Sequence, residues 1–326
     1  MRYLARRIGF YLFTLWAAIT LNFAIPRLMP GNPVQAVFAR FRGQVPPAAT
    51  ASFAKLFGLN NSSTWSQYST YLSQLAHGNL GISFSYFPST TLQVIMTSLP
   101  WTAALIGVAT VISFLVGTAL GIMSGWWRGS WMDSLLPITT FLGSIPYFWF
   151  GLLAAFFLAD QLHWFPLSGA TGTTTPIGVN WSFVTSASYH AILPAATIVI
   201  ASIGGWMLGM RNMMVTTQAE DYVLLAEAKG LSPRRIMITY AARNAILPTL
   251  ATFAMSLGFV VSGAILVEIV FSYPGLGYVL FQAVTNNDYP LMQGVFLMIT
   301  VAVLAANFLA DLAYVALDPR TRLSHG

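Results

Sequence analysis

The chain has 326 residues, of which 56% are hydrophobic and only 7% are charged, against roughly 25% charged in soluble domains. This argues against a water-soluble globular fold and for a membrane protein. The absence of cysteine removes a disulfide framework, a thiolate metal site and a cysteine nucleophile, and the net charge of +6 reflects topology rather than nucleic-acid binding.

A bilayer core about 30 Å thick takes about 20 apolar residues per helix. Six segments meet this length: 8–29, 99–126, 134–159, 190–214, 247–271 and 291–317. Unbroken apolar runs satisfy their backbone as helices, so the expected fold class is all-α integral membrane with six transmembrane helices. Arg2, Arg6 and Arg7 precede the first run. The run is long and Pro26-Arg27-Leu28-Met29-Pro30 follows it without a small-residue cleavage site, so residues 1–30 predict an uncleaved helix rather than a signal peptide.

Residues 31–98 are too long for a connector and mix polar residues with Phe, Trp and Tyr. They predict a partly folded extracytoplasmic region. Residues 99–317 predict a five-helix core and 318–326 a tail. With the N-terminus inside, the cytoplasmic side holds Arg2, Arg6, Arg7, Arg128, Arg211, Lys229, Arg234, Arg235, Arg243, Arg320 and Arg322. The outer side holds Arg27, Arg40, Arg42 and Lys55, all in or beside the long first loop, where the positive-inside rule is weakest. Both termini are therefore expected in the cytoplasm. Ser113, Gly117, Gly121 and Gly125 form one small-residue face, as do Ala254, Gly258 and Ser262; Gly205 and Gly209 extend the idea to the fourth span. Such faces let helices approach closely in lipid. The loop 161–189 is rich in Thr, Ser and Gly, and the loop 272–290 carries the turn signal Pro274-Gly275-Leu276-Gly277.

Residues 219–248 form a polar island between apolar runs. Asp221–Lys229 predicts a short helix ended by Gly230 in a left-handed cap. Ser232 and Pro233 then suit the N-cap and first position of a second helix, over 234–245. On the first helix Tyr222, Ala226 and Lys229 share a face, and small Ala226 and Ala228 suit close seating in a groove. Two readings stand on the pattern alone: a rigid knob that grips a soluble partner, or an amphipathic loop lying on headgroups.

The island resembles the EAA loop of bacterial ABC-importer permeases, and in detail that of the dipeptide/oligopeptide/nickel permease family. The matching residues are Asp221-Tyr222, Ala226-x-Ala228-Lys229-Gly230-Leu231-Ser232, Arg243-Asn244-Ala245 and Pro248. Leu224-Leu225-Ala226 stands where the loop's Glu-Ala-Ala would be, and Glu227 where relatives often carry Arg. The resemblance runs along nearly the whole chain: Met29-Pro30-Gly31-Asn32-Pro33; Gln67-Tyr68; Gly78-Asn79-Leu80-Gly81-x-Ser83; Glu268-x-Val270-Phe271-Ser272-Tyr273-Pro274-Gly275-Leu276-Gly277; and Asp311-x-x-Tyr314-x-x-x-Asp318-Pro319-Arg320.

The resemblance implies the type I ABC importer permease fold and the first-permease type of subunit. It implies a second homologous permease, two ABC ATPase subunits carrying ATP and Mg, and an extracytoplasmic solute-binding protein, all in a bacterial or archaeal cytoplasmic membrane. The coupling loop would be 215–246. Asp221, Tyr222, Ala226, Glu227, Ala228, Lys229, Gly230, Leu231, Arg243 and Asn244 would couple to the ATPases. The implied cargo is a di- or oligopeptide; a cello-oligosaccharide or other β-linked sugar, or nickel, is the alternative.

No G-x-x-x-x-G-K-[ST], H-E-x-x-H or G-x-S-x-G stretch occurs. The chain is expected to be a pore subunit rather than an enzyme, with no cofactor of its own. His77, His163, His190 and His325 are scattered, so no metal site is expected. Pore or outer-gate candidates are Glu268, Tyr273, Asn307 and Asp311. Glu268 either lines the outer mouth or holds the turn beside it; Asp311 is either a substrate or proton site or a buried anchor. A secondary transporter would need coupling charges at mid-membrane, and almost none are present.

Overall fold

Each long apolar run closes its backbone hydrogen bonds within itself, and helices are accordingly the regular elements of the computed structural model among its described residues, beside one isolated bridge between Ile82 and Thr90. Those residues are 2–29, 63–176, 178, 180–258, 260 and 264–317, with side chains described outside 2–6 and 309–317. In chain order the helices are α1 (Arg2–Leu28), α2 (Thr64–Ala76), α3 (Thr91–Trp126), α4 (Leu135–Ser144), α5 (Tyr147–Gln161), α6 (Trp181–Thr217) and α7 (Asp221–Ala228). Next comes α8, which passes without a break from Pro233–Arg235 through the π-helical Ile236–Ala242 to Arg243–Gly258. The chain then forms α9 (Ile265–Val270), α10 (Leu276–Thr285) and α11 (Tyr289–Leu317).

Four of these helices are long and apolar enough to cross a membrane: α1 from Arg7, α3, α6 and α11 as far as Phe308. The α4–α5 pair, bent by 90°, makes a fifth if its halves serve together. The continuous helix expected over 134–159 is thus two. Pro146 is the cause: its ring disfavours helical geometry at the preceding residue, and Ile145 is extended at φ −84°, ψ 131°. The span expected over 247–271 is also divided, since α8 stops at Gly258 and α9 has only 6 residues. Residues 259 and 261–263 between them lie outside the described residues, as do residues 30–62 of the outer region and the tail 318–326.

Two helices begin earlier than expected. The start of α6 at Trp181 is fixed by Asn180, whose side chain accepts the Phe183 N–H at 2.7 Å. The start of α3 reaches back to Thr91. The 272–290 loop is not merely a turn, because it houses the apolar helix α10. The segment 31–98 contributes α2.

The chain divides into two compact units. The first comprises Met1–Thr102, Val261–Ile265 and Pro274–Ala305. Its core joins Ile95 of α3, Leu276, Val279 and Leu280 of α10, and Leu291, Met292 and Val295 of α11. Asp288 is fully buried beside that core. Its Oδ2 accepts the Ser83 hydroxyl at 2.6 Å and the Ser85 N–H at 2.7 Å, while Oδ1 accepts the Leu291 N–H at 3.1 Å. A buried carboxylate needs such partners. The Gly78-Asn79-Leu80-Gly81-x-Ser83 stretch thereby gains a structural meaning. Asn79 accepts the Gly81 N–H at 3.0 Å, Leu80 packs on the core, and Ser83 binds the carboxylate that caps α11.

The second unit comprises Ala103–Val260, Leu266–Tyr273 and Ala306–Gly326. Here the small-residue face of α3 presses on α6. A Cβ at Gly121 would stand 2.6 Å from the Met207 carbonyl oxygen and 2.7 Å from Met210 Cβ. At Gly117 it would stand 2.6 Å from Trp206 Cβ, and at Gly125 2.6 Å from Met214 Cβ. Only hydrogen fits between these backbones. Ser113 completes the face, with its hydroxyl turned to the Ala109 carbonyl at 2.7 Å. Gly205 and Gly209, expected in a similar role, meet open space; Gly204 is the α6 glycine pressed on a neighbour, the Thr139 carbonyl of α4. Gly258 packs on Ala306 of α11, as its small size suggested, whereas Ser262 lies outside the described residues.

Gly121→Val is expected to destabilise the detergent-solubilised protein by about 1–3 kcal/mol or more, the range for overpacking. Gly209→Ala should stabilise it by up to about 1 kcal/mol through helix propensity. Thermal unfolding of the two variants beside the wild type separates a close-packed seam from an open helix face.

Candidate functional site

The polar island folds as a kinked protrusion with a fixed angle. Helix α7 starts after Glu220, whose carbonyl accepts the Val223 N–H at 2.9 Å, and carries Asp221 in its first turn, where the helix dipole favours negative charge. It ends in a Schellman motif. The Gly230 N–H donates to Glu227 O at 2.8 Å and the Leu231 N–H to Ala226 O at 3.3 Å. Gly230 has φ +70°, a left-handed geometry that a residue with a Cβ adopts at a cost. Pro233 opens α8 as expected, and Ser232 stands at the N-cap without making a side-chain capping bond.

The two arms close on a small apolar centre of Val223, Ala226 and Ile236, with Leu231 and Tyr240 packed beside it. Ala226, expected on a docking face, is only 2% exposed and lies inside this centre. Its small side chain lets α7 approach α8. The second helix expected over 234–245 is not separate from the next span, because the π-helical stretch joins it directly to Arg243–Gly258. Asn244 donates to the Tyr240 carbonyl at 3.0 Å, and Met237, Ala241, Ala242 and Ala245 pack on Met210 and Met214 of α6. The protrusion is therefore seated on the end of α6 as well as continuous with α8.

Its exposed surface carries apolar groups. Leu224 is 51% and Leu225 55% exposed, and Ala228 is also exposed. With Asp221 they form the i, i+3, i+4, i+7 set of one helix face. Tyr222, Glu227, Lys229, Arg243 and Asn244 are exposed as well. The positions 221, 224, 225 and 228 show their period in the sequence, whereas the three-residue face anticipated from Tyr222, Ala226 and Lys229 is split by the burial of Ala226. An exposed apolar face with a charged border suits contact with either a partner protein or lipid headgroups.

A polar cluster fixes the base of the protrusion. Asp133, in the turn after α3, accepts Arg211 Nε at 2.7 Å and Nη2 at 3.3 Å, the Gly129 N–H at 3.0 Å and the Ser124 hydroxyl at 3.0 Å. Gln218 Nε2 donates to the Gly125 carbonyl at 2.8 Å and Arg128 to the Val215 carbonyl at 3.3 Å, covering carbonyls at the ends of α3 and α6 that those helices leave open. Arg211, expected only as a topological anchor, is thus one half of an ion pair. Asp133 went unmarked because no local pattern ties it to a residue so distant in the chain. The Arg211 hydrogen bonds first, then the Gly129 N–H, hold its carboxyl well below the usual carboxylate range.

The gate candidates are placed differently. Glu268 and Tyr273 are fully buried, and the Tyr273 N–H donates to the Glu268 carbonyl at 2.8 Å across the turn. Ser272 between them has φ +45°, and the Phe271 carbonyl accepts the Gly169 N–H at 2.9 Å. The Glu268 backbone thus takes part in the turn, and both side chains are enclosed within the second unit. Asn307 is half-buried on α11; the side chain of Asp311 lies outside the described residues. His77, His163 and His190 each pair with the carbonyl four residues back.

The described residues hold several helices long and apolar enough to cross a membrane, and comparison with known proteins places the chain. Residues 117–323 match the family described as binding-protein-dependent transport system inner membrane component, and the chain belongs to that family. It is an inner-membrane permease subunit of an ABC importer and a multi-pass protein of the cytoplasmic membrane. It is 32% identical to the di/tripeptide transport system permease protein DppB of Pseudomonas aeruginosa, over 99% of both chains. It is 31% identical to the dipeptide transport system permease protein DppB of Escherichia coli K12, again over 99% of both. With the oligopeptide transport system permease protein AppB of Bacillus subtilis it shares 29% identity over 98% of both.

The lowered pKa of Asp133 has a definite sign. Its contribution to stability is complete above the unfolded value of about 3.9 and is lost as pH falls toward the folded value. Melting temperature measured against pH should therefore fall more steeply below about pH 4 for the wild type than for Asp133→Asn. The variant should melt lower at neutral pH. Parallel curves would show that the pair adds nothing.

Proposed function

We propose that the chain forms half of the translocation pore of an ATP-driven importer for di- or oligopeptides, and that the protrusion of α7 and the start of α8 is where the ATPases take hold. In this reading the chain crosses the membrane six times, by α1, α3, the α4–α5 pair, α6, the α8–α9 pair and α11, with both termini in the cytoplasm. A second homologous permease completes the pore, two ABC ATPase subunits bind and hydrolyse MgATP below, and a solute-binding protein delivers cargo from outside.

The observation that carries the proposal is the exposed face of Leu224, Leu225 and Ala228 on a protrusion whose other side is packed on the end of α6. A partner that closes on this face moves a body continuous with α8 rather than a loose tether. Such a two-state element transmits force when the partner binds its two positions unequally. The peptide substrate is supported by the names of the relatives above. The absence of cysteine makes single-cysteine labelling of the chain free of background.

Two measurements check the proposal. A single cysteine at Lys229 should react with an impermeant maleimide only after the inner membrane is opened; labelling in intact cells would put the protrusion on the wrong side. Gly230→Val meets no neighbouring atom within 4 Å, so its cost is conformational, about 1–2 kcal/mol. It should reduce dipeptide uptake and ATPase retention several-fold at unchanged membrane level, with Gly230→Asn less affected because Asn tolerates this geometry. Wild-type uptake and ATPase retention in Gly230→Val would refute the role of the kink.

A further inference from the structure

A cleft of about 710 Å³ lies between the last two turns of α3 and the start of α8. This is within the roughly 300–1,000 Å³ of small-ligand sites. Its walls are Ile122, Met123, Trp126, Met237 and Ile238. Trp127, Ser232 and Arg234 also line it, and no acidic residue is among its lining groups. Arg234 is exposed, and Trp127 is 45% exposed.

We infer that this cleft binds one anionic phospholipid of the cytoplasmic leaflet, with an acyl chain along the apolar walls and the phosphate at Arg234 and Ser232. Three observations converge. First, the apolar wall belongs to α3, a helix long and apolar enough to cross a membrane, so an acyl chain is a chemically matched neighbour for it. Second, the polar end of the cleft is cationic. A guanidinium presents paired N–H donors matched to phosphate oxygens, and basic pockets on the cytoplasmic side of membrane helices take anionic headgroups. Third, tryptophan lines the cleft, and this side chain settles where acyl chain meets headgroup. A zwitterionic phospholipid also presents a phosphate, but its own headgroup cation competes with Arg234 for it, so the arrangement favours a lipid with net negative charge.

The placement has a mechanical meaning. The cleft has α3 on one side and the first turns of α8, which form one arm of the protrusion, on the other. A lipid seated there fills the space between a membrane helix and the arm that moves.

The inference rests on the protrusion being cytoplasmic, and its test is separable from that reading. The assembled transporter is placed in nanodiscs of equal phosphatidylglycerol and phosphatidylcholine, and the lipids that survive ejection are weighed by native mass spectrometry. The wild type should retain phosphatidylglycerol above its bulk share. Arg234→Ala should lower that retention about fivefold, from the roughly 1 kcal/mol that each basic residue contributes near an anionic surface. Ile238→Trp, which fills the cleft without touching the charge, should abolish it. Retention at the bulk ratio, or unchanged retention in Ile238→Trp, would overturn the site. Capture of the second permease rather than lipid by a photo-crosslinker at Ile238 would also overturn it, by showing that the cleft is a subunit contact. Maleimide labelling of residue 229 from outside would sink the topology and leave the lipid measurement to stand by itself.

Discussion

The backbone contact between α3 and α6 is the constraint on which the second unit depends. Gly117, Gly121 and Gly125 bring the two helices to a separation at which no side chain fits between them. In a lipid solvent the hydrophobic effect does not drive helices together, so close packing and polar bonds must. The glycine seam supplies the packing. At the end of the seam next to the protrusion the bonds around Asp133, Arg211 and Gln218 supply the rest. The seam sets where Met210 and Met214 lie, and these two are the floor on which Met237, Ala241 and Ala245 of the protrusion rest.

The protrusion is organised by what it hides as much as by what it shows. Val223, Ala226 and Ile236 are spent on holding its two arms together, which leaves Leu224, Leu225 and Ala228 outward. These outward leucines are the apolar surface on which the proposed docking rests. The Schellman stop at Gly230 sets the angle between the arms with backbone bonds alone, so the shape of the protrusion does not require its surface charges.

Much of this was legible in the residues. Length and apolarity gave helices, Gly230 and Pro233 gave the kink, and the spacing of Ser113, Gly117, Gly121 and Gly125 gave the seam, because each depends on local periodicity or on a single backbone preference. The family followed from ordered motifs along the chain. What failed depended on contacts between distant residues or on breaks that composition does not register. Ile145 and Pro146 sit within a run apolar enough to pass for one span, and 247–271 likewise hides the end of α8. Ala226 reads as a small surface residue until Ile236 is seen to cover it. Asp133 and Asp288 read as ordinary loop acids, and each is defined by a partner far away in the chain, Arg211 and Ser83 respectively.

The π-helical stretch Ile236–Ala242 has one more consequence. A wide turn of this kind takes up one residue more than an α-turn, and one residue corresponds to about 100° of rotation around the axis. The residues before and after it therefore follow different angular frames. Arg234 and Arg235 face outward while Ala241, Ala242 and Ala245 lie against α6, an allocation that a single uninterrupted helical wheel would not give. The stretch works as a phase shifter: one continuous rod presents charge on its exposed side and small apolar groups toward its own bundle, without a hinge between them.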